Sequence, residues 1–260
     1  KNRAIDDTDL GATISLPVMC GGQFGTLCQG QLGVSASSAC TCEPVMVRAS
    51  SGVLRFARTQ PRSNSTMALK DLLPLGMSLP HRSLAVIDMA TVRHVAQRAE
   101  ALGFSDLWVT ENTLDGVFSF DPGAILTYAA ALTTRIRLGV AVVVLPIHNP
   151  SHVASQFATL DHISNGRAIL GVGLGRAHHY AEFQIPTEHR VRRLREGIEI
   201  VKALWTQPKV NYTGSIYRLD NAGMVIKPVQ KPHPPIWLGG NHPDAVRRAA
   251  KLGDGWMAAG

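Results

Sequence analysis

The sequence predicts an α/β fold with a parallel sheet, and the clearest sign is a strand–helix–strand unit in its middle. Two strongly apolar runs, residues 136–145 and 168–173, enclose a helical pattern that begins at Pro150. Strands that are apolar throughout are typical of parallel sheets, because such strands are buried on both faces. Each run is followed by glycine or proline, which do not continue a strand. Since ligands bind at the C-terminal ends of parallel strands, this unit also predicts where the chemistry lies.

The pattern from Met67 onward alternates between strands and helices, which indicates a parallel sheet covered by helices. The first helix ends at Gly103, which suits a C-terminal cap, and Pro150 suits the first turn of its helix. Residues 207–233 are predicted to be an insertion of short strands or loop. Strands are predicted near residues 73–79, 105–110, 136–145, 167–173, 235–239 and 255–259, and helices near 88–102, 122–133, 150–163, 187–206 and 243–251.

Composition favours a protein with a sizeable core and no membrane segment. Of 260 residues, 45% are hydrophobic and 17% charged, and no apolar run approaches the roughly 20 residues that a membrane span needs. Acidic residues at 6, 7 and 9 argue against a secretory signal, so a cytoplasmic protein is expected. The net charge is +7, but the arginines at 190–195 flank an amphipathic helix without interleaved aromatic residues. Nucleic-acid binding is therefore not expected.

Residues 1–66 differ in kind from the rest of the chain. They are rich in Gly, Ser, Thr and Cys and have no sustained periodicity, which predicts a disordered or non-native leader before a domain at 67–260. Their four cysteines do not form a CxxC pair. No metal site is expected elsewhere, because Pro150 separates His148 from His152, and the adjacent His178 and His179 are expected to point apart.

Several motifs follow one another in a characteristic order. They are AEALGFSDLWV at 99–109, VLPIHNP at 144–150, ATLDHISNGR at 158–167, GVGLG at 171–175, PPIWLGG at 234–240 and GDGW at 253–256. This succession resembles the bacterial luciferase-like superfamily of flavin- and deazaflavin-dependent oxidoreductases. The resemblance runs from about Leu72 to Gly260.

The resemblance implies a (β/α)8 TIM-type barrel. Such barrels take roughly 250 residues, more than residues 67–260 provide, and only six strands are predicted. The expectation is therefore a barrel that is truncated after its sixth strand, whose full-length relative is a homo-oligomer.

The resemblance also implies a set of cofactor-binding residues at the strand ends. Glycines in GVGLG allow close backbone approach to a planar ring, or alternatively serve packing between elements. The residues before Pro243 form a candidate phosphate site, because free amides at a helix start attract anions. A pair in the third barrel strand aligns with a non-prolyl cis peptide of several relatives, the alternative being an ordinary strand pair. The predicted set is Ser78, Ala141, Val142, Gly173, Leu174, Gly175, Gly240 and Asn241.

Two residues are candidates for a catalytic role. Asn112 stands where many relatives carry a histidine, and an asparagine cannot shuttle a proton near neutral pH. Its alternative role is to close a loop. His148 follows the third predicted barrel strand, where it could titrate near neutral pH and face the pocket. Its alternative is a solvated loop histidine.

The function implied by the resemblance is flavin-dependent oxidation or reduction of a small organic substrate. The first hypothesis is a monooxygenase that uses reduced FMN and oxygen, with a flavin reductase as a candidate partner. The alternative is hydride transfer with the deazaflavin coenzyme F420, without oxygen. A second alternative is an inactive fragment or a non-catalytic flavin-binding relative.

Overall fold

The computed structural model describes residues 74–114 and 116–258. The predicted leader, residues 1–66, lies outside them, as does Leu73 at the start of the first predicted strand. Six α-helices are described: α1 Met89–Leu102, α2 Pro122–Leu132, α3 Pro150–Ile163, α4 Ala177–Glu182, α5 Arg190–Thr206 and α6 Pro243–Leu252. A short 3-10 helix, Leu145–Ile147, precedes α3. The strands are β1 Gly76–Ser78, β2 Arg82–Ser83, β3 Asp106–Val109, β4 Phe118–Ser119, β5 Arg137–Val140, β6 Ala168–Val172, β7 Val210–Thr213, β8 Arg218–Ala222, β9 Ile236–Gly239 and β10 Gly255–Met257.

Six strands form one curled parallel sheet in the order β1-β3-β5-β6-β9-β10. Neighbours in the sheet follow the order of the chain, and helices connect most of them, which is the arrangement of barrel strands. In the described residues β1 and β10 are the two edges. The predicted α/β class, with its six parallel strands, is confirmed.

The remaining strands form two small antiparallel pairs. Strands β7 and β8 pair within the predicted insertion at 207–233. Strands β2 and β4 have two residues each, too few to give an alternating pattern, so the sequence did not predict them. Helix α4 has six residues, too few to show a helical apolar pattern, and the sequence did not predict it either. Strand β5 ends at Val140 and not near Leu145, because the regular pairing is interrupted at the bond between Ala141 and Val142.

The two faces of the sheet are filled differently. Branched residues such as Leu107, Leu138 and Leu170 are fully buried and belong to the cluster that includes the helix residues. On the other face Trp108 of β3 and Trp237 of β9 lie with ring centroids 5.3 Å apart. A Cβ on Gly76 of β1 would come within 2.6 Å of the Trp108 ring. Glycine beside the ring therefore makes room for the indole.

Arg167 ties the loop before β6 to the end of α2. It is 9% exposed, and all five guanidinium N–H groups donate hydrogen bonds. The acceptors are the carbonyls of Ala130, Thr133, Ile136 and Ser164 and the hydroxyl of Thr133, at 2.6–3.0 Å. Two of these carbonyls, those of Ala130 and Thr133, lie at the C-terminal end of α2, where intrahelical donors are lacking. Burial lowers the pKa of Arg167 from its ordinary value.

Glu100 binds the backbone N–H groups of the loop between α2 and β5, as Arg167 binds carbonyl groups. Its carboxylate accepts hydrogen bonds from the backbone N–H groups of Thr134, Arg135 and Ile136 at 2.7–2.9 Å. Burial pushes the pKa of Glu100 upward, but these three donors outweigh it and hold the pKa below its ordinary value of 4.5.

We expect Arg167→Met to lower the free energy of unfolding by about 3–5 kcal/mol, because several buried carbonyls lose their donors. Urea denaturation followed by circular dichroism measures this change. The matched control is Arg98→Met on the exposed face of α1, which should change stability by less than about 0.5 kcal/mol. Equal effects of the two substitutions would contradict the role given to Arg167.

Glu100 makes stability depend on pH in a defined direction. A carboxyl whose pKa is lowered by folding stabilises the protein above its unfolded pKa and loses that contribution as pH falls through the folded pKa. We expect the stability difference between wild type and Glu100→Gln to be constant above about pH 5.5 and to shrink below pH 4.5. Denaturation curves across this range measure it, and the exposed Glu188→Gln should show no such trend.

Candidate active site

The C-terminal edge of the sheet gathers the residues that follow each parallel strand. Because neighbouring strands run in the same direction, their ends meet at this edge. Almost all of the predicted residues lie at or just beyond these ends. They are Ser78 at the end of β1, Asn112 after β3, Ala141 and Val142 after β5, Gly173, Leu174 and Gly175 after β6, and Gly240 and Asn241 after β9.

A bulge follows β5, beginning at a cis peptide bond between Ala141 and Val142. The predicted non-prolyl cis peptide is thus present. The Ala141 N–H still donates to the Val109 carbonyl at 2.7 Å, on the side of β3. Beyond the cis bond, Val143 exchanges hydrogen bonds with β6, donating to Gly171 at 2.8 Å and accepting from Gly173 at 2.9 Å. The side chains of Ala141 and Val142 remain half-buried at the edge.

Glycines of GVGLG and of PPIWLGG leave space for the side chains of this bulge. A Cβ at Gly173 would lie 2.5 Å from Cγ2 of Val142, and one at Gly239 would lie 3.0 Å from its Cγ1. Gly175 has a φ of +65° and sits against Val144. Packing between elements, the alternative considered for these glycines, is therefore what the described contacts show. Their contact with a cofactor stays a prediction.

Glu111 anchors the far side of the bulge. Its buried carboxylate accepts a hydrogen bond from the Val144 N–H at 2.6 Å and another from Nε2 of His148 at 2.5 Å. The His148 ring also meets the edge of Phe183, with ring centroids 6.1 Å apart. The His148 side chain is therefore turned towards Glu111 and is not freely solvated. A positioning role for Glu111 was not predicted from the sequence, because it depends on contacts more than thirty residues away.

A cavity of about 240 Å³ opens beside the strand ends. Asn112 lines it, while His148 is not among its described lining residues. The rest of the lining is mainly polar and includes two arginines, two histidines and one acid, Glu182. The residues are Arg82, Asn112, Thr113, Leu114, Gly116, Arg176, His178, His179 and Glu182.

The two histidines of this cavity lie close together. Their ring centroids are 4.1 Å apart, so the expectation that His178 and His179 point apart is wrong. The reason is the short helix α4, which starts at Ala177 and turns both side chains to one side. Burial, with a contribution from the neighbouring His178, lowers the pKa of His179. Nδ1 of His179 accepts a hydrogen bond from the Arg176 N–H at 2.9 Å, so the ring is neutral with its hydrogen on Nε2.

Asn112 is held by a chain of hydrogen bonds that the sequence did not reveal. Its Nδ2 donates to Oγ1 of Thr110 at 2.6 Å, and Oγ1 lies 2.8 Å from Nε2 of His81. Nδ1 of His81 lies 2.7 Å from the Leu79 carbonyl. His81 is 5% exposed, and burial lowers its pKa. The only sequence signal was a histidine placed just after the first predicted strand.

The helix start after Gly240 differs from the expectation of free amides. Helix α6 is capped by His242, whose Nδ1 accepts from the Asp244 N–H at 3.2 Å. The next two amides donate to the His242 carbonyl, and Pro243 has no N–H. These amides are therefore engaged, and an acidic residue occupies the first turn. Binding of a phosphate by Gly240 and Asn241 stays a prediction, without the support of those amides.

Among the described residues, no group of three or more His, Cys, Asp or Glu is placed to hold a metal ion. Within the same part of the chain, no helix combines the length and apolar character that crossing a membrane requires.

We expect Gly173→Ala to destabilise the protein by about 1–3 kcal/mol, because its Cβ would overlap Val142. The cost should shrink when Val142 is shortened, so the double variant Gly173→Ala/Val142→Ala tests the contact directly. Urea denaturation of the wild type, the two single variants and the double variant gives the coupling energy. Additive effects would show that the two residues do not share the space.

Known oxidoreductases are similar to this chain in sequence. The F420-dependent glucose-6-phosphate dehydrogenase of Kineococcus radiotolerans is 32% identical over 173 residues, which are 62% of this chain and 50% of that protein. The chain spans about half the length of the curated relatives it matches.

Two solved structures share the fold and part of the sequence. The monooxygenase RslO1 of Streptomyces bottropensis aligns with a TM-score of 0.63 and 29% identity, covering 70% of this chain and 58% of that one. An F420-dependent secondary alcohol dehydrogenase aligns with a TM-score of 0.61 and 26% identity, covering 70% and 57%. Both agree with the barrel predicted from the resemblance.

The sequence model of the luciferase-like monooxygenase family matches residues 72–260, nearly all of the predicted domain. That match includes every strand of the sheet and both sides of the cavity. Members of this family are oxidoreductases. The chain belongs to the luciferase-like monooxygenase family.

Proposed function

We propose that this chain binds the cofactor of an oxidoreductase that transfers hydride between the deazaflavin coenzyme F420 and a small organic substrate. The observation that carries the proposal is the bulge after β5. Its half-buried Ala141 and Val142 present an apolar strip near a polar cavity at the strand ends. The choice of F420 is supported by the F420-dependent relative at 32% identity.

The residues present fit a flavin-type ring. Such a ring has apolar faces and a polar margin, and the strand ends offer both kinds of contact. The half-buried Ala141, Val142 and Leu174 would lie against a face, while the exposed Ser78 and the polar groups of the cavity would meet the margin. When bound, the deazaflavin supplies the hydride donor or acceptor.

The protein's own side chains supply orientation and charge. Asn112 forms hydrogen bonds but moves no proton near neutral pH. The neutral His179 offers its Nε2–H as a donor, and Arg176 brings a positive charge to the same cavity. Together these groups would bind and orient a polar substrate. Glu182 is the one carboxylate among the described residues that line the cavity.

A second candidate function is oxygenation with reduced FMN. The specific observation in its favour is the likeness to the monooxygenase RslO1, at 29% identity and a TM-score of 0.63. In this case the same strip would bind FMN, and a flavin reductase would be the partner that supplies it in reduced form.

Fluorescence titration of the chain with F420 and with FMN tests the choice between them. We expect F420 to bind at least about tenfold more tightly, a difference of about 1.4 kcal/mol. Ser78→Asp and Asn241→Asp should each weaken binding by about 1–3 kcal/mol, because both cofactors are anionic. The control is Thr159→Asp, which places the same charge on the exposed surface of α3.

The outcomes separate the candidates. Tight binding of FMN but not F420, with oxygen consumed when reduced FMN is supplied, would support the oxygenase and contradict hydride transfer. Binding of neither cofactor by a folded chain would contradict both candidates. Equal weakening by the control substitution would show that the strand ends are not the cofactor site.

A further inference from the structure

His81 has only one tautomer that fits its surroundings. The carbonyl oxygen of Leu79, 2.7 Å from Nδ1, can only accept a hydrogen bond, so Nδ1 carries the hydrogen. Nε2 of the neutral ring then carries a lone pair. The Thr110 N–H agrees with this assignment, because it donates to Nε2 at 2.9 Å.

The tautomer of His81 determines the direction of the next hydrogen bond. Oγ1 of Thr110 lies 2.8 Å from Nε2. If the hydroxyl hydrogen pointed elsewhere, two lone pairs would face each other at this distance and repel. The Thr110 hydroxyl therefore shares the Nε2 lone pair with its own backbone N–H. Having directed its only hydrogen to His81, Oγ1 can only accept a hydrogen bond from its other neighbour.

That neighbour is the side chain of Asn112, 2.6 Å away. Because Oγ1 of Thr110 can only accept here, the amide nitrogen of Asn112 faces it and Oδ1 of Asn112 points elsewhere. Within residues 74–114 and 116–258, no protein group donates to Oδ1 of Asn112. The side chain lines the cavity, so Oδ1 is its unused acceptor there.

We propose that His81 and Thr110 are positioning residues that fix the amide of Asn112, so that the cavity binds a ligand donating a hydrogen bond to Oδ1, as an alcohol hydroxyl does. A ketone, which has no donor, would be disfavoured at this point. The identification of this ligand as the substrate rests on the proposed function. The orientation of the amide does not.

Nitrogen NMR of the full chain tests the orientation without any cofactor. With 15N-histidine labelling and His81→Gln to assign the signal, His81 should show a protonated Nδ1 and an unprotonated Nε2 at neutral pH. With 15N-asparagine labelling, the side-chain NH2 signal of Asn112 should shift in Thr110→Val and return towards wild type in Thr110→Ser. A protonated Nε2, or an Asn112 side-chain signal that does not shift in Thr110→Val, would overturn the assigned orientation.

Binding of a matched pair of probes tests the ligand class. Cyclohexanol and cyclohexanone differ at one oxygen, and saturation-transfer NMR measures the affinity of each for the F420-loaded chain. We expect the alcohol to bind about 3- to 10-fold more tightly in the wild type. The preference should fall to about onefold in Thr110→Val, because the side-chain amide of Asn112 can then rotate by about 180°. It should persist in Thr110→Ser, which keeps the hydroxyl.

Each result decides one part of the proposal. Equal binding of the two probes by the wild type, or a preference unchanged in a folded Thr110→Val, would contradict the role of Thr110. Failure of both probes to bind would contradict the assignment of the cavity to the substrate, and the histidine signal would still decide the orientation. Failure of F420 to bind would contradict the proposed function alone, since the histidine and asparagine signals are measured on the chain without F420.

Discussion

The departure of β5 from the sheet is the constraint on which the functional edge depends. After Val140 the chain turns through a cis peptide, and the side chain of Val142 then needs space between neighbouring strands. Glycine at 173 and 239 supplies that space, and the Glu111 carboxylate holds the far end of the bulge through Val144. The bulge leaves Ala141 and Val142 half-buried, which gives this edge the apolar surface against which the proposed cofactor ring would lie.

Charged side chains secure both ends of the sheet by binding backbone groups. At the N-terminal end, Glu100 and Arg167 use their full hydrogen-bonding capacity on loops and helix ends. At the C-terminal end, Glu111 does the same for the bulge, but Arg176 and Asn112 keep groups that face a cavity. The same type of interaction gives stability at the first end and leaves polar groups for ligands at the second.

The sequence predicted the regular elements well, because each strand or helix has its own apolar pattern. It predicted a strand as far as Leu145, since the residues beyond Val140 are as apolar as those before it and a bulge has no periodic signature. The cis peptide was found only through the resemblance. The contact between His178 and His179 depends on where a six-residue helix begins, which the sequence did not predict. The role of His81 depends on a partner 29 residues away. Such contacts depend on tertiary structure and leave no local trace in the chain.

The hydrogen-bond chain to Asn112 shows how sheet register can determine specificity. His81 follows β1 and Thr110 follows β3, and these strands are neighbours with Ser78 opposite Trp108. The same register that pairs the strands therefore places the imidazole beside the hydroxyl. Because the Leu79 carbonyl accepts only, the hydrogen positions along the chain follow from one backbone group inside the fold. The acceptor presented to the cavity is in this way determined by the sheet, and the loops that line the rest of the cavity are free to differ without reversing it.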